Sequence, residues 1–322
     1  MGSGTLKTAN QKSKIEDSLK ALLLLAFGGP RSLDEVEFLL TRLFRGKKPS
    51  PEQLERVKER YRLIGGSSPL LEITRRQAKA LEERLNARGH HFKSFVGMRY
   101  SRPLIEETVH EIARDGIDEI VALPMAPFRS RASTGAYAEE LDRVRQGLKF
   151  PLKVTFVEGW HIHPIFLDAV RERIREGLND FDPKVRQNIH LIFTAHSLPR
   201  SLIQHDPYVQ DMEASVKGVL SDLECPNWHI AFQSRGGGPE EWIGPDVEKV
   251  LEALASQGGK EVLLVPIGFV SDHIEILYDI DIAFRQKAES LGIVLKRTPS
   301  LNTSARFIEA LAQAVEERLQ RG

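Results

Sequence analysis

Cysteine is nearly absent from this sequence, since Cys225 is the only one among 322 residues. A single cysteine cannot form an intramolecular disulfide. It also cannot supply the ligands of a cysteine-bound zinc site or of a four-cysteine iron–sulfur cluster. The composition therefore favours a cytoplasmic protein without an iron–sulfur cluster.

An excess of charge of one sign is also absent, because 45 Lys and Arg balance 45 Asp and Glu. Without a net field, binding to nucleic acid or to an anionic membrane surface is not expected. No apolar run approaches the ~20 residues of a membrane span. The run ALLLLAF (21–27) has the composition of a signal-peptide core, but it is short and lacks a cleavage pattern, so a buried strand is favoured. Residues 1–18 are polar and aperiodic, which predicts a disordered leader, either native or left from expression.

Phosphate-binding loops are missing as well. Neither G-x-G-x-x-G after a strand nor G-x-x-x-x-G-K-[ST] occurs, and the glycines of RGGGP (235–239) lead into a proline. Such loops bind the phosphates of nucleotides. A nucleotide cofactor is therefore not expected.

Two series of short apolar runs alternate with amphipathic stretches, a pattern typical of βαβ units and parallel sheets. The predicted strands of the first series are ALLLLAF (21–27), FKSFVGM (92–98), EIVALPM (119–125) and KVTFVEG (153–159). Those of the second series are IHLIFTA (189–195), WHIAFQS (228–234), EVLLVPIGF (261–269) and GIVLKRT (292–298). The predicted fold class is α/β, with two similar Rossmann-like domains that each have a four-stranded parallel sheet flanked by helices.

The expected domains are residues 19–160 and 161–322, with the active-site cleft between them. The last helix, within SARFIEALAQAVEERLQRG, can pack on either half, including the N-terminal one. In open parallel sheets, ligands bind beyond the carboxyl ends of the strands. The polar residues that follow each strand are therefore the candidate site residues.

His196 follows one of these strands, directly after IHLIFTA. In one interpretation Ser197 caps the next helix and His196 faces solvent. In the other, the imidazole binds a metal or accepts a proton, since its ordinary pKa of ~6.5 suits both roles at neutral pH. A single histidine does not decide between them.

The segment VSDHIEILYDID (270–281) follows another strand. Asp272 and Glu275 fit a capping box, which requires no further function. If a helix begins here, Glu275 and Asp279 are four residues apart and lie on one face. One histidine and one glutamate from two strand ends can hold a divalent metal with most coordination positions open, which suits a metal that is handed over.

Other candidates are weaker. Ser197 does not lie in a G-x-S-x-G elbow, and neighbours in the chain rarely bring a hydroxyl and an imidazole into hydrogen-bonding geometry. The HIH of residues 161–163 and the pair His90-His91 have the residue types of a zinc site. Their loop positions and Pro164 favour solvent-exposed histidines instead.

Three segments in this order, FTAHSLP, FQSRGGGPEEWIGP and PIGFVSDHIEILYDID, resemble the ferrochelatases, which insert Fe²⁺ into a porphyrin in haem biosynthesis. The resemblance covers residues 20–315 and includes AFGGP and RGKKPSPEQLERVKERYRLIGGSSPL. It implies two four-stranded domains around a porphyrin cleft and a metal site of His196 and Glu275. His196 would bind iron or accept a pyrrole proton, and Asp279 would relay protons or metal toward solvent. Fe²⁺ is then a substrate, and no tightly bound cofactor is expected.

A porphyrin is an apolar disc with carboxylates at its rim, so the cleft needs apolar walls and several cations. The candidate walls are Phe27, Met98 and Trp242. The candidate contacts to the rim carboxylates are Arg31, Arg45, Arg60, Ser68, Arg99, Thr134 and Tyr137.

Within the family, R-G-x-K-P followed by E-R-Y-x-x-I-G-G-x-S-P-L resembles the coproporphyrin III-using enzymes of Gram-positive type, which are soluble. Coproporphyrin III has four carboxylates and protoporphyrin IX has two, and a basic entrance at Arg45, Lys47, Lys48 and Arg60 suits the former. Two departures concern metal access: Phe27 stands where several of those enzymes have Tyr, and Ala283 or Phe284 replaces an acidic residue.

Three alternatives remain open at this point. They are a protoporphyrin IX ferrochelatase, a cobalt or nickel chelatase on the same fold, and a tetrapyrrole- or metal-binding protein without catalysis. The sequence predicts no particular protein partner.

Overall fold

The structure is a computed structural model and describes residues 18–223, 227–237 and 240–321. Its strands are β1 (Lys20–Ala26), β2 (Phe92–Met98), β3 (Glu119–Pro124), β4 (Lys153–Phe156), β5 (His190–His196), β6 (Trp228–Gln233), β7 (Glu261–Val265) and β8 (Val294–Arg297). They form two sheets in the orders β2-β1-β3-β4 and β6-β5-β7-β8, and every neighbouring pair is parallel. The predicted fold of two similar four-stranded halves is therefore confirmed. Cys225 and residues 1–17 of the predicted leader lie outside the described ranges.

Helices connect the strands. They are α1 (Val36–Leu43), α2 (Pro51–Leu63), α3 (Leu70–Asn86), α4 (Ile105–Arg114), α5 (Ala136–Gln146), α6 (Pro164–Asn179), α7 (Arg200–Ile203), α8 (Tyr208–Leu220), α9 (Val247–Ser256), α10 (Arg285–Ser290) and α11 (Ala305–Arg321). Two π-helical segments, Arg131–Gly135 and Glu275–Phe284, lead into α5 and α10. In the described part of the chain, no helix has both the length and the apolar character needed to cross a membrane.

Strand β1 is buried on both faces. Leu22 and Leu24 belong to one apolar cluster, and Leu23 and Leu25 belong to another. None of the four side chains has exposed surface. Successive strand residues point to opposite faces, so a strand covered on both sides needs a continuous apolar run. The prediction of a buried strand is thus confirmed, and the strand order places it inside the sheet.

The last helix, α11, contacts both halves. Arg88, just beyond α3, forms an ion pair with Glu309 at 2.6 Å. On its other side, the ring of Phe307 packs against Phe166 of α6 with centroids 6.4 Å apart. The helix therefore joins the N-terminal and C-terminal halves.

The sheet topology determines where a ligand can bind. β1 lies between β2 and β3, and β5 lies between β6 and β7. In each sheet the second strand in chain order is therefore added on one side of the first strand, and the next two strands are added on its other side. Loops diverge at such a point and open a crevice at the carboxyl ends of the strands. Residues at or just beyond four strand ends, among them Phe27, Met125, His196 and Gly268, line one cavity between the halves.

Candidate active site

His196 is the last residue of β5, and it lines this cavity, which has a volume of about 210 Å³. Its Nδ1 lies 2.8 Å from Oε2 of Glu275. Because Nδ1 is engaged, Nε2 is the ring nitrogen available to a ligand. The hydroxyl of Tyr208 donates to the carbonyl oxygen of His196 at 2.9 Å and fixes the end of the strand.

Glu275 begins the π-helical segment before α10. Apolar side chains anchor this segment in the core of the C-terminal half: Ile276, Ile280 and Phe284. The Glu275 carbonyl accepts a hydrogen bond from the Gln233 amide at 2.9 Å. Ser234 donates its hydroxyl to Asp279 and is close enough to Glu275 to lower the pKa of that carboxyl. The carboxylates of Glu275 and Asp279 thus both lie close to Ser234, in agreement with the prediction that they share one face of the helix.

His196 and Glu275 stabilise each other's charges. Burial lowers the pKa of His196, but the carboxylates of Glu275 and Asp279 outweigh it, so the pKa lies above its ordinary value. Burial raises the pKa of Glu275, but His196, together with His273 and Ser234, holds it below its ordinary value. The carboxylates therefore make His196 a stronger base than a free histidine.

Asp279 is perturbed in the opposite direction. Burial, assisted by the charge of Glu275, raises its pKa to about 6, although Ser234, Arg60 and His196 oppose the shift. A carboxyl group with this pKa gains and loses a proton close to neutral pH. It is suited to exchange protons beside a base.

The cavity walls are mainly apolar. The apolar and aromatic lining includes Ala26, Phe27, Leu70, Met125, Ala126, Pro127, Phe128, Ala132, Tyr137, Leu198, Tyr208, Phe269 and Val270. Phe27 is 44% exposed, and its ring lies on that of Tyr100 with centroids 4.6 Å apart. The structure thus places Phe27 and Tyr137, two of the predicted contacts, at the cavity. A flat apolar ligand suits such a lining.

Three predicted contacts do not lie there. Met98 has no exposed surface and is a core residue. Thr134 is 3% exposed, and its hydroxyl accepts a hydrogen bond from the backbone N–H of Ser130 at 3.1 Å. Trp242 packs against Gly236 and is absent from the lining. The structure does not place these three residues at the cavity, because proximity to a strand end does not tell which side of the sheet a side chain takes.

Two predicted rim arginines border the site. Arg99 donates to the carbonyl of Ala132, a lining residue, at 2.9 Å. The Arg60 guanidinium lies 5.1 Å from the ring centroid of Tyr278 and is close enough to lower the pKa of Asp279. Arg99 therefore lies beside the cavity lining, and Arg60 lies close to Asp279.

The other predicted polar contacts are held differently. Arg31 forms an ion pair with the Glu35 carboxylate, and Arg45 is exposed at the surface. The Ser68 hydroxyl accepts from the backbone N–H of Leu70 at 3.3 Å, at the beginning of α3. Each would have to exchange its present partner or solvent for a substrate carboxylate.

The alternative interpretations of the two motifs are not supported. Asp272 accepts a hydrogen bond from Ser300 at 2.7 Å and does not cap the helix, while Glu275 binds the imidazole. The Ser197 hydroxyl donates to the carbonyl of Ile243 at 2.7 Å, so it is not a helix cap either. The capping box and the serine cap are therefore both wrong.

The HIH motif also differs from expectation. His161 and His163 are 4% and 9% exposed, not solvent-exposed as predicted. Their Nε2 atoms lie 3.3 Å from Asp211 and 3.5 Å from Glu317. Over residues 18–223, 227–237 and 240–321, no three His, Cys, Asp or Glu side chains could hold a metal together. A zinc site at the HIH motif is therefore not supported.

Sequence reasoning assigned no role to three residues of the site. Ser234, with a positive φ of 61°, lies at a strand end that was recognised, so its position was the available signal. His273 lies within the recognised motif, and its Nδ1 is 3.0 Å from the Ser271 carbonyl. Tyr208 reaches His196 from α8 and had no sequence signal, because the contact depends on tertiary packing.

Comparison with known proteins decides the family. A family model for ferrochelatase matches residues 19–319. The chain belongs to the ferrochelatase family. The ferrochelatase of Geobacter metallireducens is 42% identical over 315 residues, which cover 92% of this chain and 98% of the relative. That of Herpetosiphon aurantiacus is 40% identical over 297 residues, 92% of this chain and 97% of the relative. A coproporphyrin III ferrochelatase of Oceanobacillus iheyensis is 36% identical over 301 residues, 92% and 96% of the two chains.

Solved structures show the same fold at low sequence identity. SirB from Bacillus subtilis with Fe³⁺ has a TM-score of 0.58 and 13% identity, covering 94% of this chain and 96% of that one. CbiX, the terminal enzyme for biosynthesis of sirohaem in denitrifying bacteria, has a TM-score of 0.52 and 11% identity, with 92% and 98% covered. The chain is thus an enzyme of haem biosynthesis with the chelatase fold, and its substrates are a porphyrin and iron.

Proposed function

We propose that this ferrochelatase inserts Fe²⁺ into coproporphyrin III and releases coproheme III and two protons. The observation that carries this choice of substrate is that two arginines, Arg60 and Arg99, border the site, while Arg31 and Arg45 are the further predicted cations of the same half. Carboxylate–arginine pairs are strong and directional, so several arginines favour the porphyrin with more carboxylates. The relative from Oceanobacillus iheyensis, named for coproporphyrin III, also supports the proposal.

In this proposal His196 is the base. Nδ1 is bound by Glu275, so Nε2 accepts a proton from a pyrrole N–H, and the carboxylate stabilises the imidazolium that forms. The pair also offers one nitrogen and one oxygen ligand to the incoming Fe²⁺. Because both ligands come from the C-terminal half, the remaining coordination positions of the metal stay open for the nitrogens of the porphyrin ring.

Asp279 carries the released proton away in the same proposal. Its pKa of about 6 lets it accept a proton near neutral pH, and the hydroxyl of Ser234, which donates to it, also lies close to Glu275. The Arg60 guanidinium lies over the ring of Tyr278, close enough to lower the pKa of Asp279. Fe²⁺ enters as a substrate, and the proposed reaction requires no resident cofactor.

Anaerobic assays with the purified chain test the proposal. Coproporphyrin III and protoporphyrin IX are each incubated with Fe²⁺, and the Soret band and the loss of free-base fluorescence are followed. We expect a higher kcat/KM for coproporphyrin III. Arg60→Ala should raise the KM for coproporphyrin III more than the KM for protoporphyrin IX.

Three outcomes would contradict parts of the proposal. A preference for protoporphyrin IX would overturn the choice of substrate but not the chelatase activity. Faster insertion of Co²⁺ or Ni²⁺ would indicate a chelatase for another metal. Binding of both porphyrins without metalation would indicate a tetrapyrrole-binding protein. A cytoplasmic location stays a prediction from composition.

A further inference from the structure

Residues 125–137, here called the wall segment, belong to the N-terminal half but are bound to the C-terminal half by a buried aspartate. Asp211 of α8 is 3% exposed. It accepts hydrogen bonds from three groups of Arg129: the backbone N–H at 3.0 Å, Nε at 2.9 Å and Nη2 at 2.7 Å. The side chain thus fixes both the backbone and the guanidinium of one residue.

A second aspartate makes a similar contact. Asp206, 8% exposed, accepts from the hydroxyl of Ser130 and from the backbone N–H of Arg131, both at 2.9 Å. Two buried carboxylates of one half therefore bind three consecutive residues of the other. Breaking a charge-assisted bond of this kind leaves a buried charge without its partner, so the contact resists displacement.

The wall segment also forms part of the cavity. Its lining residues are Met125, Ala126, Pro127, Phe128, Ala132, Ser133 and Tyr137. Phe128 directly precedes Arg129, and its ring meets Tyr208 edge to face with centroids 5.9 Å apart. Fixing Arg129 therefore also fixes this wall ring.

One helix connects the wall to the base. Tyr208 and Asp211 are three residues apart on α8, which is about one turn. Tyr208 binds the carbonyl of His196, and Asp211 binds Arg129 of the wall segment. The distance from wall to imidazole is therefore set through a single rigid helix.

We infer that Asp211 and Asp206 are positioning residues of the ferrochelatase reaction, which hold the wall segment at a fixed distance from His196 and so centre the porphyrin ring on Nε2. Neither aspartate lines the cavity, so they act through Arg129, Ser130 and Arg131. The inference rests on the proposed role of His196, which His196→Ala tests separately. It does not depend on which porphyrin is the better substrate.

Asp211→Asn tests the inference, because it removes the charge and keeps the shape. A misplacement of about 1 Å can cost ~100-fold in rate, so we expect kcat to fall at least about tenfold. The dissociation constant of the porphyrin, measured by fluorescence quenching without iron, should change less than about threefold, since the walls still supply the apolar contact. Asp206→Asn should also lower kcat with little change in the dissociation constant of the porphyrin, and its effect on kcat should be smaller.

Glu82→Gln is the matched control. Glu82 accepts from the backbone N–H and the hydroxyl of Ser94, at 2.7 and 2.6 Å, but both residues lie within the N-terminal half and away from the cavity. We expect it to lower the melting temperature and leave kcat unchanged. If Asp211→Asn does not fold, Arg129→Lys serves instead, since it keeps the charge but loses the paired geometry. An unchanged kcat in the folded aspartate or arginine variants, or an equal loss in Glu82→Gln, would overturn the inference.

Discussion

The Glu275 carboxylate is stabilised by several groups at once. His196 contributes both charge and a hydrogen bond, and His273 and Ser234 add to it. The carboxylate in turn raises the pKa of the imidazole against the effect of burial. If either group were buried without the other, its uncharged form would be favoured.

Replacement of Glu275 by Gln should therefore change His196 as well as the activity. We expect turnover to fall at least ~100-fold, while porphyrin binding stays near that of the wild type. Without the carboxylate, burial dominates, so the pKa of His196 should fall below its ordinary value. The imidazole should therefore titrate at a lower pH in the variant than in the wild type, where the carboxylate raises its pKa. Histidine NMR titrations measure this shift directly.

The control for this variant is Glu289→Gln, which changes an exposed glutamate of α10. It should leave both turnover and the titration of His196 unchanged. Wild-type activity in Glu275→Gln, or an unchanged His196 pKa, would contradict the proposed pair.

At the residue scale, the sequence predicts which residues have a chemical role better than it predicts which residues line the cavity. His196 and Glu275 could be selected because an imidazole and a carboxylate follow two buried strands and because the motifs around them resemble those of the ferrochelatases. The apolar and hydroxyl side chains Met98 and Thr134 could not be placed, since such residues serve a core as readily as a cleft. Their burial depends on packing between elements that no local pattern encodes.

At the element scale, the loop after β7 crosses the end of β5 at close range. The N–H of Gly268 donates to the carbonyl of Thr194 at 3.0 Å. A Cβ on Gly268 would lie 2.6 Å from Cβ and 2.8 Å from Cα of Ala195. Only glycine therefore fits between the strand that carries His196 and the loop that leads to Glu275.

Gly268→Ala should push these two elements apart. Overpacking of this kind costs about 1–3 kcal/mol, so the free energy of unfolding should fall by that amount in denaturant titrations. We also expect a lower kcat, because His196 and Glu275 lie on the separated elements. Gly237→Ala is the control, since nothing lies within 4 Å of the added atom. Equal stability and equal kcat in the two variants would be incompatible with the close contact.

The strands and most helices could be predicted from their periodicity, and the eight strands differ from prediction only at their ends. The π-helical geometry of Glu275–Phe284 could not. Its apolar residues recur at spacings that an α-helix also satisfies, so the pattern does not reveal the wider turn.

At the scale of the whole molecule, one apolar cluster extends through both halves. It contains Leu24 of β1 and Phe193 of β5, together with Phe307 of α11. The sequence predicted two similar halves but could not place the last helix, because an amphipathic face does not identify its partner. The structure has this helix against both α3 and α6.

Removal of residues 305–322 should consequently prevent cooperative folding of the entire chain. The helix buries four large side chains, each no more than 3% exposed: Phe307, Ile308, Leu311 and Val315. At about 1.5–3 kcal/mol per buried side chain, their loss approaches the ~5–15 kcal/mol by which a domain is typically stable. Circular dichroism during heating should show one transition for the full chain and none for the truncated chain.

The control is Arg88→Ala, which keeps the helix but removes its partly exposed ion pair with Glu309. It should lower the free energy of unfolding by only about 1 kcal/mol or less. A truncated chain that unfolds cooperatively would show instead that the halves are stable without the helix that joins them.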